Sequence, residues 1–166
     1  MNTILHHIGK LLLAITIITP FNFAMAQDKT ATTEGELTLA ITGLRNNNGN
    51  VVLTFFNNIE DFYEKDNNYF KSDTVSLAGQ DKKAKTKIVR YTLPIGRYVI
   101  FAFHDEDKNG RMAKSLLGSN LEGGGYANHF KGSPYRRPQF RDAAIEITEK
   151  NSAVGTIRLL YSEPTF

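Results

Sequence analysis

The sequence predicts an all-β fold: an antiparallel β-sandwich of about seven short strands with one long irregular loop. Apolar and polar residues alternate in several short runs, which is the period of a strand with one buried face. Turn residues, above all an Asn-Gly pair, separate these runs. After residue 26, no helical periodicity extends beyond two turns. Short alternating runs with frequent turns are typical of a sandwich.

Length and composition limit the classes of protein that fit. The 166 residues correspond to about one ordinary domain. Cysteine is absent, which excludes disulfides, thiolate metal sites and cysteine nucleophiles. The 20 Lys and Arg residues exceed the 17 Asp and Glu residues by too little to indicate a nucleic-acid partner. A domain of this size buries enough surface to fold without disulfides.

The N-terminal segment predicts a secretory signal peptide. Lys10 precedes the apolar run LLLAITII, and residues 24–26 read Ala-Met-Ala, the small-x-small pattern of a signal-peptidase site. The apolar run is shorter than the ~20 residues of a bilayer span, although an uncleaved anchor is the alternative. We therefore expect residues 1–26 to be cleaved, 27–35 to be a flexible leader and 36–166 to form one domain. The protein would be exported, periplasmic or extracellular, with no membrane span after cleavage.

The first predicted strand covers residues 37–42, where Leu and Ile alternate with polar or small residues. The Asn48-Gly49 pair that follows is a hairpin signal, because Asn and Gly tolerate positive φ. We therefore expect residues 51–56 to return as the partner strand, and their two apolar faces predict a central position. Residues 57–73 are polar with scattered aromatics, which favours a short helix or an ordered loop.

The next strands lead to the most apolar segment of the chain. A weak strand is expected over 74–77, a charged turn over 79–87 and an alternating strand over 89–93. Residues 98–103 read YVIFAF and should form the best-buried strand. Because Tyr98 follows a Gly turn at the start of that strand, it is either a tyrosine corner, with its hydroxyl bonded to nearby backbone, or a core aromatic.

Residues 104–141 differ from the rest of the chain. They are rich in Gly, Asn and charge and show little periodicity, and long irregular segments in compact domains are usually functional or disordered. Alternating residues then predict the last two strands, over 143–147 and 157–161. No internal repeat and no second domain boundary is evident.

The start of this irregular loop contains a candidate calcium site. Asp105, Asp107 and Asn109 occupy positions 1, 3 and 5 of the pattern D-x-[DN]-x-[DN]-G, and Gly110 occupies position 6. Ca²⁺ binds several oxygens, and alternate side chains in a tight turn can converge on one point. The spacing therefore predicts calcium as the candidate cofactor.

The second half of the calcium pattern is missing. Ala113 and Leu116 occupy positions 9 and 12, where oxygen ligands are usual. Glu122 or a backbone carbonyl would have to complete the site. The alternative is a loop held by Asx turns without an ion. The predicted ligand set is Asp105, Asp107, Asn109 and Glu122.

Two other function classes remain open from the residues alone. His104, Asp105, Glu122 and His129 could form the site of a metal-assisted hydrolase. The sandwich could also be an accessory module that docks on a membrane partner. Aromatic and cationic residues interleave over 126–137, which predicts either contact with an envelope protein or glycan, or simple anchoring of the loop. The oligomeric state is left open.

Residues 36–161 resemble a secreted bacterial family known as Domain of Unknown Function 2141. The resemblance is carried by LAITGL at 39–44, Asn48-Gly49, LPIGRY at 93–98, HDEDKNG at 104–110, Gly118, Glu122-Gly123, Gly125-Tyr126 and Asn128. It implies an exported immunoglobulin-like or transthyretin-like sandwich with no established activity. The chain departs from the family pattern at Ala113, Asn120 and Gly124, where an acidic residue, a Pro and an aromatic are common. We therefore expect a non-catalytic module of the cell envelope, binding or structural, with the 104–130 loop as its functional surface.

Overall fold

The computed structural model describes residues 33–64, 68–114, 121–128 and 137–162. The predicted signal peptide and most of the predicted leader lie outside the described residues. No helix among the described residues combines the length and apolarity needed to cross a membrane. The elements are β1 (Glu34–Thr42), β2 (Asn50–Phe56), α1 (Ile59–Tyr63), β3 (Lys71–Ser76), β4 (Thr86–Pro94), β5 (Gly96–Asp105), β6 (Gly124–Tyr126), α2 (Phe140–Ala143), β7 (Ile145–Ile147) and β8 (Ala153–Arg158).

The strands form two sheets, which confirms the predicted all-β sandwich. One sheet has the order β4-β1-β8, and the other has the order β3-β2-β5-β6, with β7 also paired to β5. All of these pairs are antiparallel except β1 with β8, which is parallel. The segment predicted to be irregular contains β6 and the start of α2. The strand predicted over 143–147 begins later, as β7, and the last predicted strand begins earlier, as β8.

The predicted hairpin between the first two strands is wrong. β1 and β2 belong to different sheets, and the Asn48-Gly49 turn lies in the connection that crosses between them. The reason is that both edges of β1 are already paired, with β4 and β8, and both edges of β2 are paired with β3 and β5. The predicted central position of residues 51–56 is confirmed.

The main core lies between the two sheets. Leu37, Leu39 and Ile41 point inward from β1, and Leu53 and Phe55 face them from β2, all fully buried. This arrangement follows from the alternation in both strands, since successive side chains point to opposite faces. Burying each such side chain contributes about 1.5–3 kcal/mol. The core is therefore sufficient to support a chain that has no cysteine.

The strand predicted to be best buried is β5, and this is confirmed. Its side chains are buried on both faces: Ile100 joins the main core, whereas Val99 packs with Phe62 and Ala143 in a second cluster beneath the two helices. The helix α1 falls in the segment predicted as a short helix or loop. It begins after Asn58, whose side-chain oxygen accepts the Asp61 N–H at 2.8 Å.

The start of β5 forms a tyrosine corner, one of the two roles expected of Tyr98. The Tyr98 hydroxyl donates a hydrogen bond to the Pro94 carbonyl, four residues upstream, at 2.9 Å. The side chain is almost fully buried, and burial raises the pKa of Tyr98. The ring also packs edge-on against Phe70, with centroids 5.4 Å apart. Tyr98 is therefore a core aromatic whose hydroxyl also fixes the turn between β4 and β5 through a hydrogen bond.

Replacing Tyr98 by Phe should remove this hydrogen bond while keeping the ring. We expect Tyr98→Phe to lower the free energy of unfolding by about 1–2 kcal/mol, because the Pro94 carbonyl loses its partner. Urea unfolding measures the change. The matched control is Tyr69→Phe at a half-exposed ring, which should change stability by less than about 0.5 kcal/mol. Equal effects of the two substitutions would contradict the role assigned to the Tyr98 hydroxyl.

Candidate functional site

The candidate site lies where β5 ends and the chain returns toward β6. Asp105 is the last residue of β5, and Glu122 precedes β6 by two residues. Because Phe103 pairs with Gly124 in an antiparallel register, residue 122 is brought beside residue 105. The His104 N–H also donates to the Gly123 carbonyl at 2.8 Å, which extends the pairing toward the loop.

Three of the four predicted ligands meet in this loop. One carboxylate oxygen from each of Asp105, Asp107 and Glu122 lies within 4.8 Å of the other two. Asp105 and Glu122 are buried, at 2% and 3% exposure, whereas Asp107 is exposed. Oxygens bound to one cation at ~2.4 Å cannot be farther apart than about 4.8 Å, so the three oxygens are close enough to share an ion.

Backbone N–H groups fix the Asp105 carboxylate. Its Oδ1 accepts the Asn109 N–H at 3.0 Å, and its Oδ2 accepts the Gly110 N–H at 3.1 Å. The turn that aims these N–H groups needs left-handed backbone, with φ of 63° at Lys108 and 72° at Gly110. The Gly at position 6 of the sequence pattern therefore has the structural role that the pattern requires.

The Glu122 carboxylate connects the two ends of the loop. Its Oε1 accepts the Glu106 N–H at 2.8 Å, and its Oε2 accepts the Ala113 N–H at 2.9 Å. Among the described residues, no cationic side chain lies within ion-pair distance of Asp105 or Glu122. Both buried carboxylates are therefore held mainly by hydrogen bonds from backbone N–H groups, and the Arg45 charge also acts on Glu122.

Asn109, the remaining predicted ligand, has its amide engaged in a different way. Its side-chain oxygen accepts the Arg111 N–H at 2.7 Å, and its Nδ2 donates to Asp107 Oδ2 at 2.6 Å. Asp107 Oδ1 in turn accepts the Asn109 N–H at 3.0 Å. Asn109 therefore orients Asp107 in this structure and directs its own oxygen to the backbone.

His104 lies behind the loop and is fully buried. Its Nε2 is 2.7 Å from the Asn48 carbonyl, and its Nδ1 is 2.8 Å from the Tyr161 hydroxyl. Because a carbonyl can only accept, Nε2 carries the proton, and in the neutral ring Nδ1 accepts the Tyr161 O–H. Both ring nitrogens are thus engaged. His129, the other predicted hydrolase ligand, lies outside the described residues.

An ion pair next to the loop, between Arg45 and Glu106, was not predicted from the sequence. The Arg45 guanidinium binds the Glu106 carboxylate in a fork, with Nε donating to Oε1 at 2.9 Å, and Asn46 donates to the same oxygen. Burial alone would raise the pKa of Glu106, but these hydrogen bonds and the Arg45 charge outweigh it and hold the pKa below its usual value. The guanidinium also lies 4.6 Å from the Tyr161 ring centroid.

Gly49 explains the Asn-Gly pair that suggested a hairpin. Its φ is 73°, and a Cβ added there would lie 2.0 Å from the Asp105 carbonyl oxygen. Since Asn50 pairs with Asp105 in the β2–β5 register, the turn must pass directly against the start of the acidic loop, by which we mean residues 105–110 together with Glu122. The glycine therefore serves both a left-handed turn and a close approach of two backbones.

Comparison with known proteins gives a family match. A family model described as "Uncharacterized protein conserved in bacteria (DUF2141)" matches residues 39–155. No curated protein and no solved structure gives a significant match.

Because an added Cβ would overlap the Asp105 backbone, replacing Gly49 by Ala should destabilise the end of the sandwich that carries the acidic loop. Gly79 provides the control, because its φ is 76° but an added Cβ meets nothing within 4 Å. We expect Gly79→Ala to cost about 1–2 kcal/mol from left-handed strain alone. Gly49→Ala should cost about 3 kcal/mol or more, because backbone overlap is added to that strain. Urea unfolding compares the two, and equal costs would contradict the close approach.

Proposed function

The chain belongs to the uncharacterised bacterial family DUF2141, and from the geometry of its acidic loop we propose that it is an exported, non-catalytic β-sandwich module that binds Ca²⁺. The proposed ion would be held by Asp105, Asp107 and Glu122, at the end of the sandwich where β5 leads into β6. The protein would act in the cell envelope as a binding or structural module, with this loop as its functional surface.

The observation that carries the proposal is a pair of buried carboxylates beside a third carboxylate, with no ion-pair partner for the buried pair in the described ranges. Asp105 and Glu122 are almost fully buried and have no cationic partner among the described residues, and a third carboxylate, Asp107, has an oxygen within 4.8 Å of both. Burying a carboxylate costs several kcal/mol unless its charge is compensated. A divalent cation between the three groups would supply that compensation.

The hydrogen bonds in the loop are compatible with an ion. Each carboxylate oxygen has two lone-pair directions, so an oxygen that accepts one backbone N–H can still bind a cation. Ca²⁺ takes 6–8 oxygens, and the three carboxylates supply part of this set, leaving positions for backbone carbonyls and water. Asn109 would serve mainly to orient Asp107, to which its amide donates.

The same geometry gives less support to the metal-assisted hydrolase. That site requires His104 as a ligand, but both of its ring nitrogens are engaged, by Asn48 and Tyr161. A fully buried ring in this position acts as a structural bridge between the loop at 48 and the C-terminal segment. The geometry of this loop gives no argument for the alternative in which the module docks on a membrane partner.

Calcium titration of the purified protein tests the proposal. We expect a dissociation constant on the order of 0.1 mM, in the range of extracellular calcium modules. At a hundredfold excess over that constant, binding should stabilise the fold by about 2.7 kcal/mol and raise the Tm by about 5–10 °C relative to EDTA. Asp107→Asn should weaken binding about tenfold, because it removes one ligand charge.

The matched control for this variant is Asp142→Asn, which removes an exposed carboxylate on α2. It should leave calcium binding unchanged. Calorimetric heat and thermal melting measure both variants. If neither the calorimetric heat nor the melting temperature of the wild-type protein responds to Ca²⁺, the loop is a set of Asx turns and the calcium proposal fails.

Export has its own test, independent of calcium. Secretion of the full-length chain with removal of residues 1–26 should give a mature protein that begins at Gln27. Intact-mass measurement and N-terminal sequencing of the envelope and medium fractions check this. Ala26→Arg should block cleavage, because signal peptidase requires small residues before the site, whereas Ala31→Arg, beyond the site, should not. A full-length protein that stays in the cytoplasm would contradict export.

A further inference from the structure

A pocket of about 400 Å³ lies beside the acidic loop, between the 43–49 connection and the turn that follows β3. This size is in the range of ligand pockets. Its polar lining consists of cationic and amide side chains, with no carboxylate among the lining residues. The side chains that define it are Arg45, Asn47, Asn48, Gln80, Lys82 and Lys85.

The walls of this pocket are fixed by hydrogen bonds between its two loops. Gln80 Nε2 donates to Asn47 Oδ1 at 3.3 Å, and Asn47 Nδ2 donates to the Asp81 carbonyl at 2.5 Å. The Leu44 N–H donates to the Lys85 carbonyl at 3.2 Å. These contacts join segments more than 30 residues apart, so the pocket is preorganised, which lowers the entropic cost of binding.

The charge of the pocket is positive and largely uncompensated. The Arg45 guanidinium forms an ion pair with the Glu106 carboxylate. Lys85 Nζ donates to the Arg45 carbonyl, a neutral group, at 2.8 Å. Across the part of the chain that the structure describes, no carboxylate lies within ion-pair distance of Lys82 or Lys85. Two lysines without an ion-pair partner in the described part of the chain therefore line a pocket whose other polar side chains are Arg45 and amides.

We propose that this pocket binds a small anionic ligand through carboxylate or phosphate oxygens, with the charge placed near Lys82 and Lys85. The amides of Asn48 and Gln80 would take neighbouring hydroxyl groups, so an acidic sugar fits the lining best. The inference rests on the proposed role of the protein as a binding module. It uses a different set of side chains from the calcium ligands, so either proposal can fail alone.

Backbone-amide NMR of the purified protein, in EDTA and then in Ca²⁺, tests the inference with three probes. Galacturonate supplies a sugar carboxylate, inorganic phosphate supplies the other oxyanion, and galactose is the neutral control. We expect saturable shifts at Asn47, Asn48 and Gln80 with at least one anion and none with galactose. The anion that binds more tightly shows whether the pocket prefers a sugar carboxylate or a phosphate. Raising the salt from about 20 mM to about 300 mM should weaken binding, because the charges are exposed.

Two lysines of one turn supply matched variants. Lys82 lines the pocket, and Lys83 does not. Lys82→Gln should weaken anion binding about two- to fivefold, as expected for the loss of one exposed charge pair, and Lys83→Gln should leave it unchanged. Equal effects of the two variants, equal binding of galactose, or no saturable shift with either anion would overturn the inference. Binding in EDTA with no response to Ca²⁺ would support the pocket while rejecting the calcium proposal.

Discussion

Strand β5 is hydrogen-bonded along both edges, and the positions of the other functional elements follow from it. β2 pairs along one edge from Val99 to Asp105, while β7 and then β6 pair along the other. The antiparallel register with β6 places Glu122 beside Asp105, and the register with β2 places Gly49 against the Asp105 backbone. The acidic loop is therefore anchored on the most deeply buried strand of the sandwich.

Tyr161 connects segments that are distant in sequence. Its hydroxyl bonds to His104 and accepts the Arg45 N–H, and its ring lies under the Arg45 guanidinium. A Cβ at Gly123 would lie only 2.4 Å from that ring, so the glycine is needed for the ring to pack there. The acidic loop, the 43–49 connection and the segment around Tyr161 thus form one polar network. A substitution in one of these segments should therefore alter the hydrogen bonds of the other two.

Sequence reasoning succeeded where the determining contacts are local. Alternation predicted β1 and β4, and apolar runs predicted β2 and β5. The Gly turn before Tyr98 indicated a tyrosine corner as one of two alternatives, and the D-x-D-x-N-G spacing indicated a tight turn, either around calcium or held by Asx hydrogen bonds. It failed where the answer depends on distant partners. The sheet to which β2 belongs is decided by β3 and β5, and the Arg45–Glu106 pair joins residues 61 positions apart. The engagement of the Asn109 oxygen by Arg111 could not be read from spacing either, because it depends on a side-chain rotamer.

The parallel pairing of β1 with β8 has a consequence for the order in which the molecule can assemble. Among the described strands, β1 comes first in the chain and lies in the middle of its sheet, yet one of its two edges is completed by the last of them, β8. The β4-β1-β8 sheet therefore cannot be completed until residues 153–158 have been synthesised. Contacts that span such a sequence separation also slow folding. We therefore expect the parallel β1–β8 pair to form late in folding.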